Sequence, residues 1–208
     1  MGKKKEITHP RECPGSNLAS SLESVKEEQR RKIKVVVFGS RHTGQGPLGR
    51  AWGRTDADLP DLQPVVIYER EISHAGITVI VAAWILSLDP QFEYMRKAMF
   101  MHADAFIYTF DVSDITGKTL QYLDPFIDEV HGMYEKMPPE LLIGSVYDPT
   151  LSTKPAKTTK LVEAWREQHN NPPYFEIDLT NKAQFFDTAE KVFQKAVYLF
   201  AENVGKKN

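Results

Sequence analysis

The run Lys34-Val35-Val36-Val37-Phe38 is apolar and largely β-branched, and it stops at Gly39. A run of this kind reads as a buried strand. A glycine-bearing turn and a short helical stretch at 47–53 follow, with Pro47 tolerable in a first helical turn. Beyond this point strands and helices alternate. That alternation predicts an α/β fold in three layers, a mostly parallel sheet with helices on both faces.

The later elements follow from local pattern. Residues 65–72 alternate apolar and polar, as in a half-exposed strand, and 77–84 form a strongly apolar strand. The short turn Ser73-His74-Ala75-Gly76 between them implies an antiparallel hairpin, and hence one antiparallel edge strand. Asp89-Pro90 opens a helix with Phe92, Met95, Met99 and Phe100 on one face. A buried strand at 105–110 precedes a helix at 119–137, which Pro138-Pro139 stop. Strand 141–144, helix 157–169 (Leu161, Val162 and Trp165 inward), the break Asn171-Pro172-Pro173 and strand 174–177 come next. The last element is an amphipathic helix at 183–204, with Phe186, Ala189, Phe193, Ala196, Val197 and Phe200 as its stripe.

Among 208 residues, 41% are hydrophobic and 26% charged, the balance of an ordinary globular chain. A net charge of −2 gives no field that argues for nucleic acid. The lone Cys13 excludes an internal disulfide and fits a reducing compartment, so the expected location is cytoplasmic. No Cys–His cluster suits zinc. No run of about 18 apolar residues suggests a transmembrane segment. The start, Met1-Gly2-Lys3-Lys4-Lys5-Glu6, lacks the apolar core of a secretory signal and the Ser or Thr of a myristoylation signal, and no lipid anchor is visible. Residues 1–31 are expected to be a flexible N-terminal extension, with a short helix at 21–31; 32–204 one domain; and 205–208 a tail.

Residues 39–46 have the outline of a phosphate-binding loop without its chemical groups. In the pattern G-x-x-x-x-G-K-[ST], Gly39 and Gly44 fall on the glycines, but Gln45 and Gly46 stand where Lys and Ser or Thr belong. A Lys ammonium about 4 Å from a phosphate oxygen is worth roughly 4 kcal/mol at an effective dielectric near 20, about a thousandfold in affinity. Gln45 donates hydrogen bonds without charge, and Gly46 offers no hydroxyl to Mg²⁺. Backbone N–H groups and the following helix N-terminus could still attract an anion. The competing reading is a strand-to-helix turn that binds nothing. The candidate nucleotide contacts here are Gly39, Ser40, Arg41, His42, Thr43, Gly44, Gln45 and Gly46. Arg41 and His42 either supply a replacement charge, since Arg can hold a phosphate bidentately, or point into solvent.

Several segments resemble the Ras superfamily of small GTPases, from about 32 to 204. Glu93-Tyr94-Met95-Arg96 and then 103–112 look like the second switch helix and the strand after it. Leu142-Ile143-Gly144-Ser145-Val146-Tyr147-Asp148 sits where the family has N-K-x-D, and Pro173-Tyr174-Phe175-Glu176 resembles the approach to the last base-contacting loop. The resemblance implies a P-loop NTPase-like fold whose six-stranded, mostly parallel sheet carries one antiparallel edge strand. It implies a guanine site in which Ser145 replaces the Asn, Val146 the Lys, and Asp148 is kept. It also exposes losses. Val65 stands near the first-switch Thr position, Asp89 lacks the glycine of D-x-x-G, and Asp178, Leu179 and Thr180 replace S-A-K.

Phosphoryl transfer in this family depends on positioning plus metal and Lys electrostatics. The resemblance therefore implies no catalytic residue and no metal site. GTP or GDP, without a well-formed Mg²⁺ site, is the cofactor it admits. Three functions stay open: a protein-interaction module on a pseudoGTPase scaffold, a guanine-nucleotide binder that has lost hydrolysis, and an unconventional GTPase using Arg41 or a partner's residues. In each, a protein partner is expected at the switch-like loops 55–66 and 87–101, with any membrane contact made through that partner. Arg50 and Arg54 are further anion candidates or plain surface charges. Asp111 and Asp114 are a carboxylate pair or loop caps. Trp84 and the methionines Met95, Met99 and Met101 are contact residues or core.

Overall fold

The structure, a computed structural model, describes residues 31–55, 63–74, 77–146 and 156–205. Along the chain lie β1 (Arg31–Gly39), α1 (Gln45–Gly53), β2 (Val65–His74) and β3 (Ile77–Leu86). A 3₁₀ turn (Pro90–Phe92) leads into α2 (Glu93–Phe100), followed by β4 (Ala105–Asp111), α3 (Lys118–Gln121) and α4 (Asp124–His131). The chain then forms β5 (Glu140–Val146), α5 (Ala156–Gln168), β6 (Tyr174–Asp178) and α6 (Lys182–Gly205). The strands make one six-stranded sheet in the order β2-β3-β1-β4-β5-β6. Only the β2–β3 hairpin is antiparallel, with Ser73 opposite Thr78.

The continuous apolar run of β1 is explained by its place between β3 and β4. Successive side chains point to opposite faces, and here both faces are covered. Ile33, Val35 and Val37 join a core with Leu48, Ala51 and Trp52 of α1 and Ala189, Val192, Phe193, Ala196 and Val197 of α6. Val36 and Phe38 join a second core with Met99 and Phe100 of α2, Leu120, Leu123, Ile127 and Val130 near and within α3 and α4, and Val162 and Trp165 of α5. Helices thus cover both faces, and the α/β expectation is met at that level.

Three details differ from expectation. The helix at 119–137 is divided into two short helices, because Pro125 has no N–H to continue the ladder and instead lies in the first turn of α4, which ends at His131. Phe186 leaves the α6 stripe and is 43% exposed, while Val192 takes a core position that the stripe omitted. The hairpin strands run further than the pattern suggested, with Ser73 and His74 still paired in β2. The 21–31 helix lies outside the described residues except for Arg31, which belongs to β1.

The sheet order fixes where a ligand would bind. The helix after β1 packs on one face and the helices after β4 on the other. Adjacent strands β1 and β4 therefore form a topological switch point, and the crevice beyond their carboxyl ends is the default binding position in such sheets.

Candidate functional site

The loop 40–46 crosses that crevice, and its conformation is set by protein contacts. Gly39 pairs with Thr109 of β4. A Cβ on Gly39 would lie 2.1 Å from Thr109 Oγ1 and 2.4 Å from Thr43 Oγ1, so the position needs a glycine to let two hydroxyls approach the strand. Gly44 caps α1 in a left-handed conformation, φ 91°. A Cβ there would stand 2.3 Å from Ser145 Oγ and 3.4 Å from Leu179 Cδ1. His42 is also left-handed, at φ 62°. Both glycines of the motif are thus required by neighbouring side chains.

The loop's polar groups bond to the loop and the sheet. Thr43, fully buried, donates from Oγ1 to the Ser40 carbonyl at 2.8 Å and lies 2.8 Å from Thr109 Oγ1. Gln45 turns its amide back, so that Nε2 donates to the same Ser40 carbonyl at 3.0 Å. From the end of β5, Ser145 Oγ donates to the Thr43 carbonyl at 2.6 Å in a buried bond. Leu179, after β6, donates its N–H to the Val146 carbonyl at 3.0 Å and packs over Gly44. The loops after β1, β5 and β6 therefore converge. Ser145 meets Thr43 at the point where the resemblance implied a base contact, and Asp148 lies outside the described residues.

Charge at the site is already paired. Arg41, the only Arg or Lys in 40–46, is 75% exposed and places Nη2 against Asp89 Oδ2. The Gln91 main-chain N–H, together with the Arg41 guanidinium, holds the Asp89 carboxyl below its ordinary range. The N-terminus of α1 has no side-chain cap and no acidic residue in its first turn. Its leading N–H groups remain the one anion-attracting feature of the loop. Gly46 has no ligand atom, and among the described residues no three His, Cys, Asp or Glu gather as metal ligands. Among the described residues, the hydroxyl position of the motif offers Mg²⁺ no side chain.

Most of the remaining candidates have structural partners. Asp111 Oδ1 accepts from Ser113 N at 2.8 Å and Ser113 Oγ at 2.6 Å. Asp114 accepts from Thr116 N at 3.0 Å and Thr119 N at 2.7 Å, capping the turn into α3. Arg54 reaches Glu190 at 3.5 Å, and that carboxylate also takes Arg70 at 3.1 Å. Trp84 packs on the second core beneath Lys34 Nζ, 4.1 Å from the ring centroid. Met99 is core, Met95 packs at its margin, and Met101 is exposed. Asp178 holds the turn after β6 through Thr180 N at 2.8 Å.

Thr109 was not singled out from sequence. Its signal was available: it is the one aliphatic hydroxyl within the apolar run of β4. Of the segments expected to meet a partner, 55–66 and 87–101, residues 56–62 lie outside the described residues, while 87–101 presents Tyr94 at 82% exposure and Met101 at 45%. A cleft of about 370 Å³ lies elsewhere, lined by Ala51, Arg54, Arg70, Phe186, Asp187 and Glu190, and no loop residue borders it. None of the helices among the described residues is long and apolar enough to cross a membrane. No protein-family model matches the chain, and no curated protein matches it.

Proposed function

We propose that this chain is a small-GTPase-like protein with degenerate nucleotide and Mg²⁺ motifs, acting as a protein-interaction module whose guanine-nucleotide binding is absent or weak. The observation that carries the reading is the inward bonding of the loop. Gln45, at the ammonium position, donates to Ser40, and Ser145, at a base-reading position, donates to Thr43. Arg41, the loop's only permanent cation, is neutralised by Asp89. The hairpin followed by three further strands, each leading into helix, agrees with the order that the resemblance implies. With no Lys in the loop, no side chain at the Mg²⁺ hydroxyl position and Arg41 paired, the described loop has only the main-chain N–H groups at the start of α1 to set against the charge of phosphoryl transfer. The exposed Tyr94 and Met101 give 87–101 an apolar surface suited to a protein partner.

The test is the content of the purified protein. Denaturation followed by ion-exchange chromatography should release no guanine nucleotide. A stoichiometric amount of GDP or GTP would overturn the proposal. One feature favours a second reading, a GTP- or GDP-binding protein with impaired hydrolysis: the uncapped N-terminus of α1 still aims main-chain donors into the crevice.

A further inference from the structure

In the family that the chain resembles, a bound triphosphate and its metal order the segment after β3. This chain has a different device in the same place. Asp89 is the pivot. One oxygen, Oδ1, accepts the Gln91 N–H at 3.2 Å and so caps the 3₁₀ turn, while Oδ2 faces Arg41 of the loop. Around it, Asp89 N donates to Ser87 Oγ at 3.3 Å and Phe92 N donates to the Asp89 carbonyl at 3.0 Å. Among the described residues this carboxylate makes the one polar link between 40–46 and 87–101. The rest of α2 is held differently. The Phe100 ring packs on Phe38, with centroids 5.2 Å apart, and Arg96 Nε donates to Glu129 Oε2 at 2.8 Å. Ser87 N also donates to the Pro64 carbonyl at 3.0 Å and Leu88 is buried in the second core, so within 87–92, the stretch that leads directly into Tyr94, Asp89 is the contact with the loop.

We propose that the Arg41–Asp89 ion pair is a built-in tether: the Asp89 carboxylate stands in for a bound anion at Arg41, and it fixes the start of the partner-facing segment against the loop with no nucleotide present. The proposal rests on the reading of 87–101 as partner-facing. The pair sits at the surface, so it is screened by salt and its hold is weak. A weak hold suits a segment that a partner must be able to displace, because a small differential affinity then suffices to shift it.

Amide hydrogen exchange on the full chain, measured without nucleotide, tests the tether. In Arg41→Gln the amides of Gln91 and Phe92 should exchange about two- to fivefold faster than in the unmodified protein, the range expected for one exposed ion pair. Arg41→Lys should restore most of the protection and Arg41→Glu should remove more. At about 1 M salt the unmodified protein and Arg41→Gln should converge. Amides of Val37 and Ile107 in the sheet report the fold and should not change. Equal rates at Gln91 and Phe92 in Arg41→Gln and the unmodified chain would overturn the tether, as would faster exchange spread equally into β1 and β4. Nucleotide enters none of these arms. A chain that bound GTP yet showed this exchange pattern would lose the proposed function and keep the tether.

Discussion

Replacing Ser145 by Ala isolates the contact that ties the loop to β5. Ser145 is 1% exposed, and its hydroxyl donates to the Thr43 carbonyl at 2.6 Å, with Thr43 itself fully buried. Deleting the hydroxyl leaves that carbonyl buried without its donor, a loss of about 1–3 kcal/mol. The space vacated is next to the Gly44 backbone. In a domain of this size each kcal/mol lowers the midpoint by about 2–4 °C, so a fall of roughly 5 °C is expected. Urea denaturation gives the free energy directly, and its slope should not change. The decisive arm adds GTP and Mg²⁺, which should leave both midpoints where they were. A loss below about 0.5 kcal/mol, typical of an inconsequential surface change, would refute the buried bond. A nucleotide-dependent rise in the unmodified protein that Ser145→Ala abolishes would instead make Ser145 a ligand contact.

Three other outcomes follow from the same geometry. Gly44→Ala forces a Cβ to within 2.3 Å of Ser145 Oγ at a left-handed position, and should lower stability by about 1–3 kcal/mol in urea denaturation. The double substitution Gln45→Lys, Gly46→Ser returns the ammonium and hydroxyl and should bring GTP binding into the range that fluorescence titration detects, a gain of up to about a thousandfold; no gain would mean that the crevice is blocked by more than missing charge. For Asp114, burial pushes the carboxyl up, but hydrogen bonds from Thr116 and Thr119 outweigh it and hold it below its ordinary range. A depressed carboxyl contributes stability above its unfolded pKa of about 4 and loses it as pH falls through the folded value. Asp114→Asn should therefore flatten the fall in stability below about pH 4 relative to the unmodified chain, read from urea midpoints across pH.

Elements with a long apolar pattern are legible in the sequence. The β1 run buries side chains on both faces of the sheet, the α6 stripe buries one face of its helix, and the hairpin needs only a short turn between two strands. One helix over 119–137 is the expectation when Pro138-Pro139 are taken as its stop; Pro125, whose missing N–H acts within the stretch, divides it. Phe186 has helical spacing with the core residues, but it lies over the cleft lined by Arg54 and Glu190 instead of over the sheet. At the site, the motif's departures were visible as residue types. Where the polar groups bond outside the loop was not, because those bonds cross from loop to strand: Thr43 to Thr109, 66 positions apart, and Ser145 to Thr43, 102 positions apart. The tie between Arg41 and Asp89 was hidden for the same reason, at a separation of 48.

The central proposal is that the loop after β1, with its polar groups bonded inward and the Lys and hydroxyl of the motif replaced by Gln45 and Gly46, takes no Mg²⁺-bound triphosphate. Isothermal titration calorimetry of the full chain with GTP and GDP, each with and without Mg²⁺, measures this directly. The account predicts no binding heat in any of these titrations. A saturable isotherm with a micromolar or tighter Kd would contradict it.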